Sequence, residues 1–164
     1  MKNFRCFDEL AISDIARVNL IAGENNVGKT ALLEALFINK CSPELILSIN
    51  RQRGIEVKEI NLTYWIEILL NSIFKNFDTS KEIKLESEYE KEGHSSTIMR
   101  VIDPRKIKTN KTVLPALDKP EDYLLSSAIS NAVELEYKDK TRGDFKYYIF
   151  ATKAGIKIEP DFPA

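Results

Sequence analysis

Apolar residues alternate with polar or charged ones in three stretches of the second half of the chain. The alternating positions are Ile83, Leu85, Ser87 and Tyr89, then Val133, Leu135 and Tyr137, then Phe145, Tyr147, Ile149 and Ala151, and all of them except Ser87 are apolar. A period of two is typical of strands with one face in a core and one in solvent. The pattern predicts an antiparallel β-subdomain over 81–164, with hairpin turns near Gly93, Gly143 and Ala154-Gly155.

The N-terminal part has a different pattern. Apolar and polar residues mix in short steps over 4–12, which predicts a strand, and the compact β-prone run at 18–22 predicts a second, buried strand that ends at Gly23. Residues 31–37 are strong helix formers, and no helix breaker follows before Ser42-Pro43. These features predict a strand-loop-helix core over 1–42.

Between these two parts the apolar positions follow a helical spacing. Ile60, Trp65, Ile68, Leu69 and Ile73 approximate one stripe, which predicts a helical insertion over 43–80. Three prolines then mark a long connection after the first predicted hairpin, with a short helix expected over 123–130. The fold class expected from the whole pattern is α/β with α+β character, arranged as one unit.

Composition narrows the class further. The chain has 164 residues, 43% hydrophobic and 30% charged, which is typical of a soluble globular domain. With 24 basic and 25 acidic residues the net charge is -1, so any DNA contact would need a local patch. The sequence has one cluster of basic residues, for which a solvated loop is the favoured interpretation. The cluster consists of Arg100, Arg105, Lys106, Lys108 and Lys111.

The apolar runs indicate the cellular compartment, and the cysteines limit the metal sites that the chain can form. The sequence has no apolar run of about 18 residues and no signal-like start, so we expect a cytoplasmic protein without a membrane segment. Cys6 and Cys41, with His94 as the single histidine, cannot assemble a structural zinc site. We expect both thiols to be reduced and buried.

Residues 23–30 carry the clearest chemical signal. Their sequence fits the pattern G-x-x-x-x-G-K-[ST] at every fixed position, and it lies between a predicted strand and a predicted helix. The predicted nucleotide-binding residues are Gly23, Glu24, Asn25, Asn26, Val27, Gly28, Lys29 and Thr30.

Each residue type in this loop has a physical role. The two glycines let the backbone turn and approach phosphates closely, and Asn25 and Asn26 tolerate left-handed backbone. Lys29 is expected to reach the β- and γ-phosphates as a point charge. Thr30 opens the helix, where its hydroxyl can ligate Mg²⁺. The sequence therefore predicts ATP and Mg²⁺ as cofactors.

The first 40 residues resemble the opening of AAA-type ATPases of the SMC/RecF/OLD group, which have an ABC-type head. Three elements carry the resemblance: residues 3–7 (NFRCF), residues 18–23 running into the loop, and residues 32–36 (LLEAL). The resemblance implies that Arg5 lies near the nucleotide. It also implies ATP hydrolysis, a homodimer that sandwiches ATP, and work in DNA repair, chromosome maintenance or phage defence.

The elements that hydrolysis needs are not evident in the sequence. The nearest Walker B-like stretch is Ile98–Asp103, but Arg100 interrupts it, and an antiparallel strand is the favoured interpretation. Leu125-Ser126-Ser127 lacks the glycines of the family signature. Gln52 and His94 are better explained as exposed loop residues than as catalytic groups.

Two hypotheses remain. In the first, the chain is the N-terminal lobe of an ATPase head, and hydrolysis depends on a missing C-terminal half or a partner. In the second, it is a non-enzymatic, truncated nucleotide-binding or protein-interaction module. A GTPase is disfavoured, because neither Asn39-Lys40 nor Asn110-Lys111 continues as the guanine-specifying N-K-x-D.

Overall fold

The computed structural model describes residues 1–39, 68, 71–89, 93–103, 132–152 and 155–161. In these ranges no helix is long and apolar enough to cross a membrane. The elements are β1 Lys2–Phe4, β2 Phe7–Glu9, α1 Lys29–Ile38, a 3₁₀ turn Lys75–Phe77, β3 Ile83–Tyr89, β4 Gly93–Ile102, β5 Ala132–Asp139, β6 Gly143–Thr152 and β7 Gly155–Asp161.

The strands form one seven-stranded sheet in the order β2-β1-β3-β4-β5-β6-β7. From β3 to β7 each strand pairs antiparallel with the next one along the chain, which confirms the predicted antiparallel sheet. The alternation also holds, since Ile83 and Leu85 are buried while Lys84 and Glu86, the residue after each, are partly exposed. At the β5–β6 turn Gly143 adopts a φ of 89°, a left-handed conformation that glycine takes readily.

Helix α1 covers one face of the sheet, which confirms the helix predicted at 31–37. Ala31, Ala35 and Ile38 point into the core, where they join buried residues from the strands. Met99 and Val133, for example, are 0% and 1% exposed. The helix is therefore held to the sheet by apolar burial along one side.

The segment before the phosphate loop contradicts the sequence prediction. Residues 10–22 contain no strand, and Val18 and Leu20 are 85% and 93% exposed. The buried strand expected at 18–22 is therefore wrong. A β-prone run becomes a strand only when a neighbouring strand takes up its backbone hydrogen bonds, and no described strand pairs with this segment.

The predicted first strand is a hairpin instead. Strands β1 and β2 pair Lys2 with Glu9 and Phe4 with Phe7, and β1 joins the sheet where Lys2 lies opposite Lys84. The hairpin lies at the edge of the same sheet as the later strands. Residues from 1–42 and from 81–164 therefore build one continuous sheet.

The outer face of the sheet carries paired charges. Arg100 on β4 contacts Glu82 at 3.0 Å, Glu134 at 3.0 Å and Glu136 at 3.1 Å. A hydrogen bond from Lys138, together with Arg100, holds the pKa of Glu136 below its usual value. This pairing confirms the interpretation of Ile98–Asp103 as part of an antiparallel strand with a solvated face.

Several predicted features lie outside the described residues. These are most of the helical insertion over 43–80, the short helix over 123–130, Cys41, Gln52, Leu125-Ser126-Ser127 and the basic residues that follow Arg100. At the end of the insertion, Phe74 forms an isolated bridge with Phe4 of β1, and both side chains are buried. This bridge ties the 3₁₀ turn to the N-terminal hairpin.

Candidate functional site

The loop at residues 23–30 leads directly into helix α1. Gly23, Asn26 and Gly28 have positive φ values of 154°, 66° and 97°. Asn26 and Gly28 are in the left-handed region, which asparagine and glycine enter at the least cost. Residues 24–27 are exposed, so the loop is open to a ligand from solvent.

Positive charge converges on this loop. Gly28 supplies no side-chain cap to α1, and the first helical turn contains no acidic residue. The N–H groups of that turn therefore carry the partial positive charge of the helix dipole toward the loop. Lys29 adds a full charge, and its Nζ donates to the carbonyl oxygens of Gly23 at 2.8 Å and Glu24 at 2.5 Å. An anion such as phosphate is favoured at this position.

Thr30 lies in the first turn of α1 and is exposed. Its hydroxyl oxygen is a suitable ligand for Mg²⁺, which usually binds one or two protein oxygens together with substrate phosphates. Within the described ranges, no group of three or more His, Cys, Asp or Glu residues could hold a metal ion.

Arg5 lies at the tip of the β1–β2 hairpin, and its side chain points into the protein. Its Nε donates to Glu34 Oε2 at 3.1 Å, and its Nη1 donates to the carbonyl oxygen and the hydroxyl of Ser72 at 3.1 and 3.0 Å. The Arg5 and Glu34 side chains are 9% and 7% exposed. The expected contact between Arg5 and the nucleotide stays a prediction, whereas its contact with α1 is part of the structure.

The hairpin tip, residues 5–7, also contacts the phosphate loop. A Cβ added to Gly28 would lie 2.6 Å from the Phe7 ring and 2.7 Å from Cys6 Sγ. Cys6 is exposed, so the expectation of a buried thiol is wrong at this position. The side chain of Cys6 lies outside the core because its residue forms the turn of the hairpin.

The hairpin is fixed from its other side by Lys75. Its Nζ donates to the carbonyl oxygen of Cys6 at 2.9 Å and to Asp8 Oδ2 at 2.8 Å. The bond from Lys75 holds the pKa of Asp8 below its usual value. In addition, the backbone N–H of Arg5 donates to the carbonyl oxygen of Ile73 at 2.8 Å.

Sequence reasoning missed Glu34 and Phe7. A glutamate in a helix is normally read as a surface residue, yet Glu34 lies between Ala31 and Ile38 on the buried stripe. That helical spacing was the available signal. His94 lies on β4, so its placement in a loop is wrong, whereas its side chain is 56% exposed as expected and lies 3.9 Å from Glu86.

A glycine-bounded loop at a helix N-terminus, next to a lysine and a threonine, defines a P-loop nucleotide-binding lobe. The model of the AAA ATPase domain family matches residues 1–159. The chain belongs to that family.

Two curated relatives are similar over short segments. The DNA replication and repair protein RecF of Idiomarina loihiensis is 45% identical over 38 residues, which are 23% of this chain and 11% of RecF. Uncharacterized protein MJECL10 of Methanocaldococcus jannaschii is 47% identical over 36 residues, 22% of this chain and 16% of that protein. In each case the match covers well under two thirds of the relative. No solved structure matches the chain.

The RecF similarity agrees with the family match. Both findings support the resemblance of the opening residues to the SMC/RecF/OLD group of AAA-type ATPases.

Proposed function

We propose that this chain binds Mg·ATP through residues 23–30. In this proposal Lys29 pairs with the β- and γ-phosphates, Thr30 ligates Mg²⁺, and backbone N–H groups of the loop and of the first turn of α1 bind phosphate oxygens. The observation that carries the proposal is the uncapped N-terminus of α1, with the Lys29 ammonium held at the loop by two carbonyl oxygens. Titration with Mg·ATP tests it.

ATP is favoured over GTP because the family is one of ATPases and the sequence has no guanine-specifying motif. Competition between the two nucleotides checks this choice. We expect unlabelled ATP to displace a fluorescent ATP analogue at a lower concentration than GTP does. Equal displacement by ATP and GTP would contradict the preference for adenine. It would leave the assignment of the loop as the phosphate site unchanged.

Hydrolysis, in this proposal, needs groups that a further polypeptide supplies. The support is an apolar surface on both sides of the loop. Before it, Val18 and Leu20 are 85% and 93% exposed, and after it Leu33 and Phe37 on the outer side of α1 are 51% and 59% exposed. Exposed apolar side chains of this number usually mark an interaction surface. A β-prone segment beside them would suit pairing with an added strand.

A module that binds ATP without turning it over is the second candidate, and Arg100 favours it. Arg100 lies at the centre of the Walker B-like stretch and pairs with three glutamates, so this strand has a charged face where a Walker B strand would be continuously apolar. Phosphate release from the purified chain tests what the two candidates share, because neither gives turnover by this chain alone. We expect release no faster than that of Thr30→Ala. Steady turnover that Thr30→Ala abolishes would contradict the requirement for added groups.

A role in DNA repair, chromosome maintenance or phage defence would follow from the family resemblance, since one relative is named a DNA replication and repair protein. The described basic side chains of the sheet give little support for direct DNA binding. Arg100, Lys138 and Lys84 all pair with carboxylates. We therefore expect the isolated chain to bind DNA weakly, which a mobility-shift titration checks.

A further inference from the structure

The Arg5–Glu34 ion pair joins the N-terminal hairpin to the second turn of α1. Both side chains are less than a tenth exposed, and Arg5 reaches Ser72 with the same guanidinium. Glu34 follows Thr30 by four residues, so the pair acts one helical turn from the candidate phosphate site. A buried arginine with several acceptors fixes the elements it joins, because any shift would leave a charge without its partner.

The same hairpin tip contacts the loop at Gly28. The distances of 2.6 Å and 2.7 Å from an added Cβ mean that Phe7 and Cys6 pack directly on the glycine. Lys75 holds the tip from behind through the carbonyl oxygen of Cys6. The position of the tip therefore sets where Gly28 lies, and Gly28 is the last residue before the helix that presents Lys29 and Thr30.

We propose that Arg5 and Glu34 are positioning residues for the phosphate loop, and that Arg5 acts through Glu34 and the hairpin tip instead of contacting the nucleotide. The inference rests on the proposed function of residues 23–30. A direct contact through Nε or Nη1 would require the Arg5 guanidinium to give up its bond to Glu34 or its bonds to Ser72. Positioning needs no such movement.

A double-mutant cycle tests the proposal. The variants are Arg5→Gln, Glu34→Gln and the double variant, each titrated with a fluorescent ATP analogue and with ADP at a temperature where circular dichroism shows it folded. We expect each single substitution to weaken binding of both nucleotides by roughly tenfold or more. The double variant should be no weaker than the weaker single variant, because both changes break one linkage.

The matched control is Arg100→Gln, which also removes an arginine with carboxylate partners but lies on the outer face of the sheet. It should lower the melting temperature without changing the Kd for ATP. Arg5→Lys keeps the charge and loses the planar fork, so it should bind nearly as weakly as Arg5→Gln. If Arg5→Gln fails to fold, Arg5→Lys still tests whether Arg5 positions the phosphate loop.

Two results of the nucleotide titrations would overturn the proposal. One is wild-type affinity in Glu34→Gln together with a large loss in Arg5→Gln, which is the pattern of direct contact. The other is wild-type affinity in all three variants. If the wild-type chain itself shows no binding that depends on Lys29, the proposed function fails, and that outcome is distinct from these two.

Cys6 gives a second measurement that needs no nucleotide. In a Cys41→Ser background, Arg5→Gln should speed the alkylation of Cys6 by a small maleimide several-fold, because the hairpin tip is released from α1. The Arg100→Gln control should leave the rate unchanged. Equal rates in wild type, Arg5→Gln and Glu34→Gln would show that the ion pair does not hold the tip, and would contradict the proposal.

Discussion

The side chain of Asn39 accepts a hydrogen bond from Thr97 Oγ1 at 2.9 Å, which joins the end of α1 to the centre of the sheet. Its Nδ2 also donates to Ser87 Oγ at 2.7 Å. Asn39 and Thr97 are 2% and 1% exposed, so water cannot replace these bonds. The interaction holds the C-terminal end of the helix that begins at the phosphate loop.

Asn39→Ala is expected to lower the free energy of unfolding by about 2–3 kcal/mol, because it leaves buried hydroxyl groups without their partner. Urea denaturation monitored by circular dichroism measures the change. Asn19→Ala is the control, since Asn19 is exposed and, among the described residues, its side chain bonds to nearby Ala16. The control should stay within about 0.5 kcal/mol of wild type. Equal unfolding midpoints for the two variants would refute the coupling.

Gly28→Ala is expected to abolish nucleotide binding. The glycine has a φ of 97°, and a methyl group there would collide with Phe7 and Cys6. Gly143→Ala is the matched control, because Gly143 has a φ of 89° and nothing lies within 4 Å of the added Cβ. Backbone strain should cost both variants roughly 1–2 kcal/mol of stability. Only Gly28→Ala should bind ATP more weakly than wild type. Equal ATP affinities for Gly28→Ala and Gly143→Ala would contradict the packing of the hairpin tip on the loop.

The chain should lose stability in acid through Asp139. Hydrogen bonds from the Thr141 hydroxyl and N–H, from the Arg142 N–H and from Tyr137 hold the pKa of Asp139 far below its usual value. A folded pKa below the unfolded one stabilises the protein at pH values above the unfolded pKa of about 4. That contribution is lost as the pH falls through this value toward the lower folded pKa.

Asp139→Asn should therefore melt at a lower temperature than wild type near neutral pH, and the difference should shrink in acid. Thermal melts over a pH series measure it. Asp144→Asn is the control, because Asp144 lies in the same hairpin and is exposed. A difference between Asp139→Asn and wild type that does not change with pH would show that the carboxylate charge plays no part.

Leu20→Asp is expected to leave the stability of the chain within about 0.5 kcal/mol of wild type, since Leu20 is 93% exposed. Leu85→Asp, at a site only 2% exposed, should prevent folding, because it buries an unpaired carboxylate in the core. Thermal melts compare them. If Leu20→Asp destabilises the chain by several kcal/mol, the segment is buried in solution and the proposed interaction surface is wrong.

The antiparallel sheet and α1 could be predicted because their patterns are local. Alternation at Leu85 and Val133 requires only one covered face, and a single helix covers it. The conformation of residues 18–22 could not be predicted in the same way. Their composition specifies a strand, but the partner that a strand needs is a long-range property, and no described strand pairs with them.

The phosphate loop could be predicted as a motif, whereas its support could not. The β1–β2 turn has no glycine, and Arg5 itself adopts a φ of 54°, which turn statistics do not anticipate for arginine. Arg5 and Glu34 are 29 residues apart in the sequence, so no local pattern of residues indicates that they pair. Such pairs become visible only once the hairpin and the helix are placed together.

The most direct test of the account is equilibrium titration of the wild-type chain and Lys29→Ala with a fluorescent ATP analogue in the presence of Mg²⁺. Lys84→Ala serves as the control, since Lys84 is a partly exposed lysine on β3 that pairs with Glu86. We expect saturable binding by the wild type and by Lys84→Ala, and a loss of binding in Lys29→Ala. Equal affinity in wild type and Lys29→Ala would contradict the assignment of residues 23–30 as the nucleotide site.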